Sequence, residues 1–183
     1  MQHGTPRQRE AHETLQILKL WQTLADFGPV LAGTVPLNID VPGSDLDVLC
    51  EVHPLMEAQF SAVLRAQYGH LPGFCLRRTT IGGLNCTIST FFYLGTEIEV
   101  FGQAVPAVQQ RAFRHMVVEH AILQAGGEAW RQAVQHLKTQ GLKTEPAFAA
   151  LLHLPGDPYE ALLTLEDKTP AELQALLARH PLS

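Results

Sequence analysis

The sequence contains no apolar run close to the roughly 18 residues that a membrane span requires. Its first ten residues, MQHGTPRQRE, are polar and lack the apolar segment of a signal peptide. Cysteine is scarce: Cys50, Cys75 and Cys86 lie in apolar segments, and there is no CxxC pair of the kind that binds metals. We therefore expect a cytoplasmic protein with reduced core cysteines and no membrane association.

Positive charge is scarce as well. The 183 residues include 13 Lys and Arg against 18 Asp and Glu, which gives a net charge of −5. Broad nucleic-acid affinity depends on Lys and Arg neutralising phosphates, so this balance argues against it. The sequence also has no Walker A loop, no dinucleotide glycine fingerprint and no recognisable nucleophilic Ser or Cys with a base. A hydrophobic content of 46% is that of an ordinary globular protein.

The order of apolar patterns and turn residues predicts an α+β protein whose sheet is covered by helices and whose C-terminal third is helical. We expect residues 1–140 to form the main domain and residues 141–183 a helical extension packed on it, the two making one structural unit. The predicted strands cover residues 29–32, 45–52, 74–80, 84–93 and 96–102. The predicted helices cover residues 6–26, 54–68, 106–124, 128–140, 144–152, 158–165 and 170–179, with a loop or irregular turn at 35–42.

Asp45 and Asp47 lie in one of these strands, in the segment SDLDVL. Side chains alternate along a strand, so both carboxylates share a face, with Cα atoms about 7 Å apart, while Leu46 and Val48 face a core. Asp is disfavoured inside strands, and two carboxylates on one face repel each other. A divalent cation would relieve that repulsion, and oxygen ligands suit Mg²⁺ or Mn²⁺.

Glu97 and Glu99 share one face of the last predicted strand, TEIEVFG. Together with Asp45 and Asp47 they indicate either a metal cluster or a sheet face open to solvent. Either glutamate is a candidate third acid.

These residues resemble the signature of the DNA polymerase beta-type nucleotidyltransferase superfamily. In this sequence ten residues separate Gly33-Thr34 from Asp45-Leu46-Asp47, and Ser44 precedes the first Asp, as is common in that signature. The resemblance implies a nucleotidyltransferase-like mixed sheet and a site in which three acids hold two metal ions, Mg²⁺ or Mn²⁺. It implies that Asp45, Asp47 and Glu99 are the catalytic metal ligands, with Glu97 as the rival, and that Gly33, Thr34 and Ser44 contact the nucleotide.

The activity implied by this resemblance is transfer of a nucleoside monophosphate from a nucleoside triphosphate to an acceptor, by two-metal phosphoryl transfer. The acceptor is a small molecule, a protein or an RNA end. Alternatives are a non-catalytic nucleotide- or metal-binding module, or one member of a toxin–antitoxin pair with a partner protein. Position 34 is Thr where Gly or Ser is usual, the third acid is Glu rather than Asp, and no basic helix follows the glycine.

The chain is also similar to a small bacterial family, a domain of unknown function, in the segments GSDLDVLC, EIEVFGQ, RHMVVEH and GLKTEPAFA. Arg114 and His115 in the third segment are either part of a solvated polar helix face or ligands of a phosphate or base. Lys143 precedes a predicted helix start and is either exposed or part of an anion site. We expect all three to be candidate nucleotide contacts.

Overall fold

Five strands form one mixed sheet in the computed structural model, which describes residues 1–182. The order across the sheet is β1-β2-β5-β4-β3. β2 and β5 are parallel, and every other neighbouring pair is antiparallel. The strands are β1 (Val30–Ala32), β2 (Leu46–Glu51), β3 (Cys75–Ile81), β4 (Leu84–Tyr93) and β5 (Thr96–Gln103). The predicted α+β class is confirmed, as is each of the five strands within a residue or two at its ends.

Eight α-helices occur in the described part of the chain. They are α1 (Pro6–Ile17), α2 (Leu20–Thr23), α3 (Thr34–Leu37), α4 (Glu57–Tyr68), α5 (Arg111–Thr139), α6 (Thr144–Leu151), α7 (Pro158–Leu163) and α8 (Pro170–Arg179). None of them is both long enough and apolar enough to cross a membrane.

The chain divides into two compact units. The first comprises residues 1–36 and 43–113, and the second residues 37–42 together with those from 114 onward. The boundary expected at residue 140 therefore lies inside the second unit, near the end of α5.

The core of the first unit forms on one face of the sheet. Leu46 and Val48 of β2 and Ile98 of β5 are at most 1% exposed there, and Leu15 of α1 and Phe60 of α4 belong to the same cluster. Alternation along the strands thus directs the apolar residues into this core and the intervening acids to the opposite face.

The core of the second unit gathers residues that are distant in sequence. Leu37 and Ile39 pack in the same cluster as Ile122, Trp130 and Phe148. Further contacts hold the segment 37–42 to α5. Arg131 donates to the carbonyls of Leu37 and Asn38, and Gln135 donates to those of Asn38 and Asp40 at 3.3 and 3.4 Å.

Two predicted elements differ from the structure. The helix predicted over residues 6–26 ends at Ile17, because Lys19 takes a left-handed conformation (φ 50°) before α2 begins. The stretch 35–42, predicted as a loop or irregular turn, begins with the last residues of α3.

Two predicted burials are also wrong. The apolar pattern of the helix predicted over residues 54–68 puts Leu55 on its inward face, but Leu55 is 86% exposed. Cys75 is exposed, whereas Cys50 and Cys86 are buried as expected.

Candidate active site

Asp47 and Glu99 are direct neighbours across the parallel strands β2 and β5. The same register places Ala32 beside Asp47 and Thr90 beside Glu99, so one row of residues crosses four strands. Asp45 immediately precedes β2, and continued alternation over that one residue puts it on the same face as Asp47. Asp47 and Glu99 thus lie side by side on the sheet face opposite the first core, and the charge of Asp45 acts on the Glu99 carboxyl.

Electrostatics show that this face is crowded with negative charge. Burial raises the pKa of the Glu99 carboxyl, and the charges of Asp45 and Glu97 raise it further, while Arg77 opposes them. Bringing a cation to these half-buried oxygens would relieve the repulsion that raises this pKa.

Gly33 lies directly against Asp47. It has a left-handed conformation (φ 79°), and a Cβ atom at this position would overlap the Asp47 carboxylate. Any residue other than glycine would therefore displace the acid or the turn. Thr34 follows as the first residue of α3, so the Gly-Thr pair lies beside Asp47.

Arg7 of α1 supports the strand ends that carry the acids, a contact that sequence reasoning missed. Its guanidinium donates to the Ser44 carbonyl and to Thr96 Oγ1, both at 3.1 Å, and pairs with Glu10 at 3.2 Å. It thus joins α1 to the entry of β2 and the start of β5. No local signal in the sequence indicates such a long-range contact.

The register distinguishes the two candidate third acids by their neighbours. Glu99 pairs with Asp47, whereas Glu97 pairs with Phe92, nearer the start of β5. The assignment of Glu99 over Glu97 stays a prediction.

The donor set suits a hard divalent cation, since it offers carboxylate oxygens only and a glycine turn that leaves room beside one of them. The carboxylates share a face without forming a preassembled cluster. Among residues 1–182, no three His, Cys, Asp or Glu side chains are already gathered closely enough to hold a metal ion.

The other predicted nucleotide contacts belong to the second unit. Arg114 forms a two-pronged ion pair with Glu166, with Nε–Oε1 at 2.9 Å and Nη2–Oε2 at 2.5 Å. Lys143 is exposed at the residue before α6, and its side chain makes no cap. Their expected role in nucleotide binding stays a prediction.

His115 is the buried member of that set. Its Nε2 donates to the Tyr159 carbonyl at 2.9 Å, and its Nδ1 lies 3.3 Å from Glu145 Oε1. Because both ring nitrogens face acceptors, the geometry favours the imidazolium form. Burial lowers the pKa of His115, but the contacts with Glu145 and Tyr159 outweigh it and raise the pKa overall.

Glu119 lies in the same cluster, one helical turn after His115. Both side chains are about 4% exposed, so the interpretation of this helix face as solvated is wrong. Burial and the charge of Glu145 raise the pKa of the Glu119 carboxyl to about 8, so it is mainly protonated at pH 7. Two segments noted in the sequence, RHMVVEH and GLKTEPAFA, thus meet in one buried polar cluster.

Comparison with known proteins gives a family and a fold. The model of a family described as a domain of unknown function (DUF4269) matches residues 13–165. The sequence matches none of the curated proteins with which it was compared.

Several solved structures share the fold, and they are polymerase beta-type nucleotidyltransferases. A Cid1 poly(U) polymerase has a TM-score of 0.58 at 13% identity, over 83% of this chain and 50% of that one. A cytoplasmic RNA terminal U-transferase has 0.54 at 14%, over 88% and 47%. The polymerase core of TRAMP, an RNA surveillance complex, has 0.51 at 13%, over 94% and 56%. This chain spans about half the length of these proteins.

Proposed function

Because the chain belongs to the DUF4269 family and has the nucleotidyltransferase fold, we propose that it is a metal-dependent nucleotidyltransferase. It would transfer a nucleoside monophosphate from a nucleoside triphosphate to an acceptor. The observation that carries this proposal is the pairing of Asp47 with Glu99 on parallel strands, with Asp45 on the same face and Gly33 against Asp47.

Asp45, Asp47 and Glu99 are the residues that would hold Mg²⁺ or Mn²⁺. The bound ion would supply charge to neutralise the phosphates and to favour deprotonation of the attacking hydroxyl. Their oxygen-only donor set supports this choice of ion.

Residues of the chain would position the triphosphate and accept the proton. The turn at Gly33 and Thr34 brings main-chain groups beside Asp47, where the triphosphate would lie. The acceptor hydroxyl oxygen forms a bond to the α-phosphorus, and pyrophosphate leaves with the electrons of the broken P–O bond. Glu99, the neighbour of Asp47 on this face, accepts the hydroxyl proton.

Replacing Asp47 with Asn tests this proposal. Transfer of label from an α-³²P nucleoside triphosphate, with Mg²⁺ or Mn²⁺, should fall by roughly 100-fold or more, since several kcal/mol of charge stabilisation are lost. Circular dichroism should show an unchanged fold. The matched control is Asp26→Asn, an exposed acid of the same unit. Full activity of Asp47→Asn would refute the proposed role of Asp47 as a metal ligand.

The same assay separates the two candidate third acids. Glu99→Gln should abolish transfer, whereas Glu97→Gln should retain most of it, because only Glu99 pairs with Asp47. The reverse result would assign the role to Glu97.

A non-catalytic nucleotide- or metal-binding module, or a toxin–antitoxin component, is the second candidate. The observation in its favour is that, within residues 1–182, the acids are not preassembled for a metal. It predicts nucleotide binding by calorimetry without release of pyrophosphate, or co-purification with a partner protein. Steady turnover would exclude a purely binding role.

Arg114, His115 and Lys143 remain proposed nucleotide contacts. At the first two a nucleotide would compete with Glu166 and Glu145, which already occupy their donors. Lys143→Gln is the cleaner test, since its exposed side chain can be removed without opening a buried pair.

A further inference from the structure

Arg77 and Arg78 are consecutive on β3 and point to opposite faces of the sheet. Arg78 donates to Ser61 Oγ of α4 at 3.3 Å and to the Glu57 carbonyl at 3.5 Å, so it lies on the helix-covered face. Strand alternation therefore places Arg77 on the carboxylate face, where its side chain is exposed.

The register orders the elements along that face. One row runs from Ala32 through Asp47, Glu99 and Thr90 to Cys75. The glycine turn follows Ala32 at one end of this row. At the other end, Arg77 lies two residues after Cys75 along β3 and on the same face. Since β3 is two strand spacings, or about 10 Å, from β5, the carboxylates stand between the glycine turn and Arg77.

In-line phosphoryl transfer needs the attacking and leaving oxygens on opposite sides of the phosphorus. If the triphosphate lies at the Gly33 turn, pyrophosphate departs on the β1 side of the carboxylates. The acceptor then approaches from the side of β4 and β3, where Arg77 is an exposed cation on the carboxylate face.

The negative charge of the carboxylate face determines which kind of acceptor requires a nearby cation in order to bind. Asp45, Asp47, Glu97 and Glu99 would repel an anionic acceptor, whereas a neutral acceptor requires no compensation. A guanidinium matches phosphate through paired hydrogen bonds. We infer that Arg77 binds a phosphate of the acceptor, so the acceptor carries a phosphate close to its attacking hydroxyl; this inference rests on the proposed function.

The test compares wild type, Arg77→Gln and the matched control Arg78→Gln. The probe is fluorescein-labelled pentaadenylate with a free 3′ hydroxyl, and its binding is followed by anisotropy at several salt concentrations. Arg77→Gln should weaken binding about tenfold and should lower the salt slope by about 0.7, the value for one phosphate on a single strand. Arg78→Gln should stay within about twofold of wild type, because it faces the helix layer.

Competition by adenosine 5′-monophosphate and by adenosine identifies the recognised group. The monophosphate should displace the probe from wild type, and adenosine should not. Displacement as strong as that by unlabelled pentaadenylate would indicate small phosphorylated acceptors, and weaker displacement a nucleic-acid end. Equal competition by adenosine would overturn the inference, as would absence of probe binding or equal binding by the two arginine variants.

Transfer kinetics separate this inference from the proposed function. Arg77→Gln should raise KM for the acceptor about tenfold and leave KM for the nucleoside triphosphate unchanged. Wild-type transfer that is insensitive to Arg77 refutes the inference alone. Arg77-dependent binding without any transfer refutes the proposed function alone. If Arg77 only stabilised the fold, Arg77→Gln would lower the melting temperature and would leave the salt dependence of probe binding unchanged.

Discussion

Replacing Glu119 with Gln should stabilise the second unit, by an amount that grows with pH. Burial and the neighbouring Glu145 raise the pKa of this carboxyl from 4.5 to about 8, with His115 and Lys138 opposing them. Between those two pH values the folded protein holds a proton that the unfolded chain has released. The free energy of unfolding therefore falls as pH rises through this window.

The size of the effect follows from the two pKa values. One pKa unit is worth about 1.4 kcal/mol, so the difference between 4.5 and about 8 corresponds to roughly 5 kcal/mol at pH 9. At pH 5 the same pKa difference destabilises the folded protein by less than about 1 kcal/mol. The glutamine side chain of the Glu119→Gln variant is neutral at every pH, so the stability difference between variant and wild type should grow by about 4 kcal/mol from pH 5 to pH 9.

Urea denaturation at pH 5, 7 and 9 measures this difference. Trp130 is buried in the core of the second unit, and Trp21→Phe removes the only other tryptophan, so fluorescence reports on that unit. The control Glu128→Gln changes an acid on the same helix that is 67% exposed, and should shift stability by less than about 1 kcal/mol at each pH. A difference for Glu119→Gln that does not vary with pH would refute the reasoning.

Two further predictions concern the turn and the segment that flank the acids. Gly33→Ala should lower the free energy of unfolding by about 1–3 kcal/mol and abolish transfer, because its Cβ would overlap Asp47. Gly28→Ala, at a similar φ in open space, should cost only about 1 kcal/mol and keep activity; equal effects of the two variants would contradict this. Arg131→Met should cost about 1–3 kcal/mol by removing donors from carbonyls of segment 37–42. Thermal denaturation measures this, and an unchanged melting temperature would show that water replaces the guanidinium.

Features with a local physical cause were predictable. Thr169 followed by Pro170 starts α8 at the predicted residue, and the Thr-x-x-Glu spacing to Glu172 forms a capping box. Gly127 breaks the helical conformation inside α5 at the predicted place, since its φ of 67° suits glycine. Alternation along a strand also gives the consecutive Arg77 and Arg78 opposite orientations, and the hydrogen bonds of Arg78 put it on the helix-covered face.

Features that depend on distant residues were not predictable. The helix breaks at Lys19, which has a φ of 50°. Glycine or asparagine usually marks such a left-handed position, and neither occurs here. The burial of Glu119 depends on α6, which supplies Glu145 from another part of the chain. Its spacing on α5 fits a solvated ladder equally well, so periodicity alone could not distinguish the two environments.

The assignment of segment 37–42 to the second unit limits how the protein can be divided. A polypeptide of residues 1–113 would contain all the proposed metal ligands but would leave Leu37 and Ile39 without the apolar cluster in which they pack. The carbonyls that accept from Arg131 and Gln135 would also lose their donors. Fragment complementation, in which residues 1–113 and 114–183 are expressed together, is therefore the appropriate way to separate the two units.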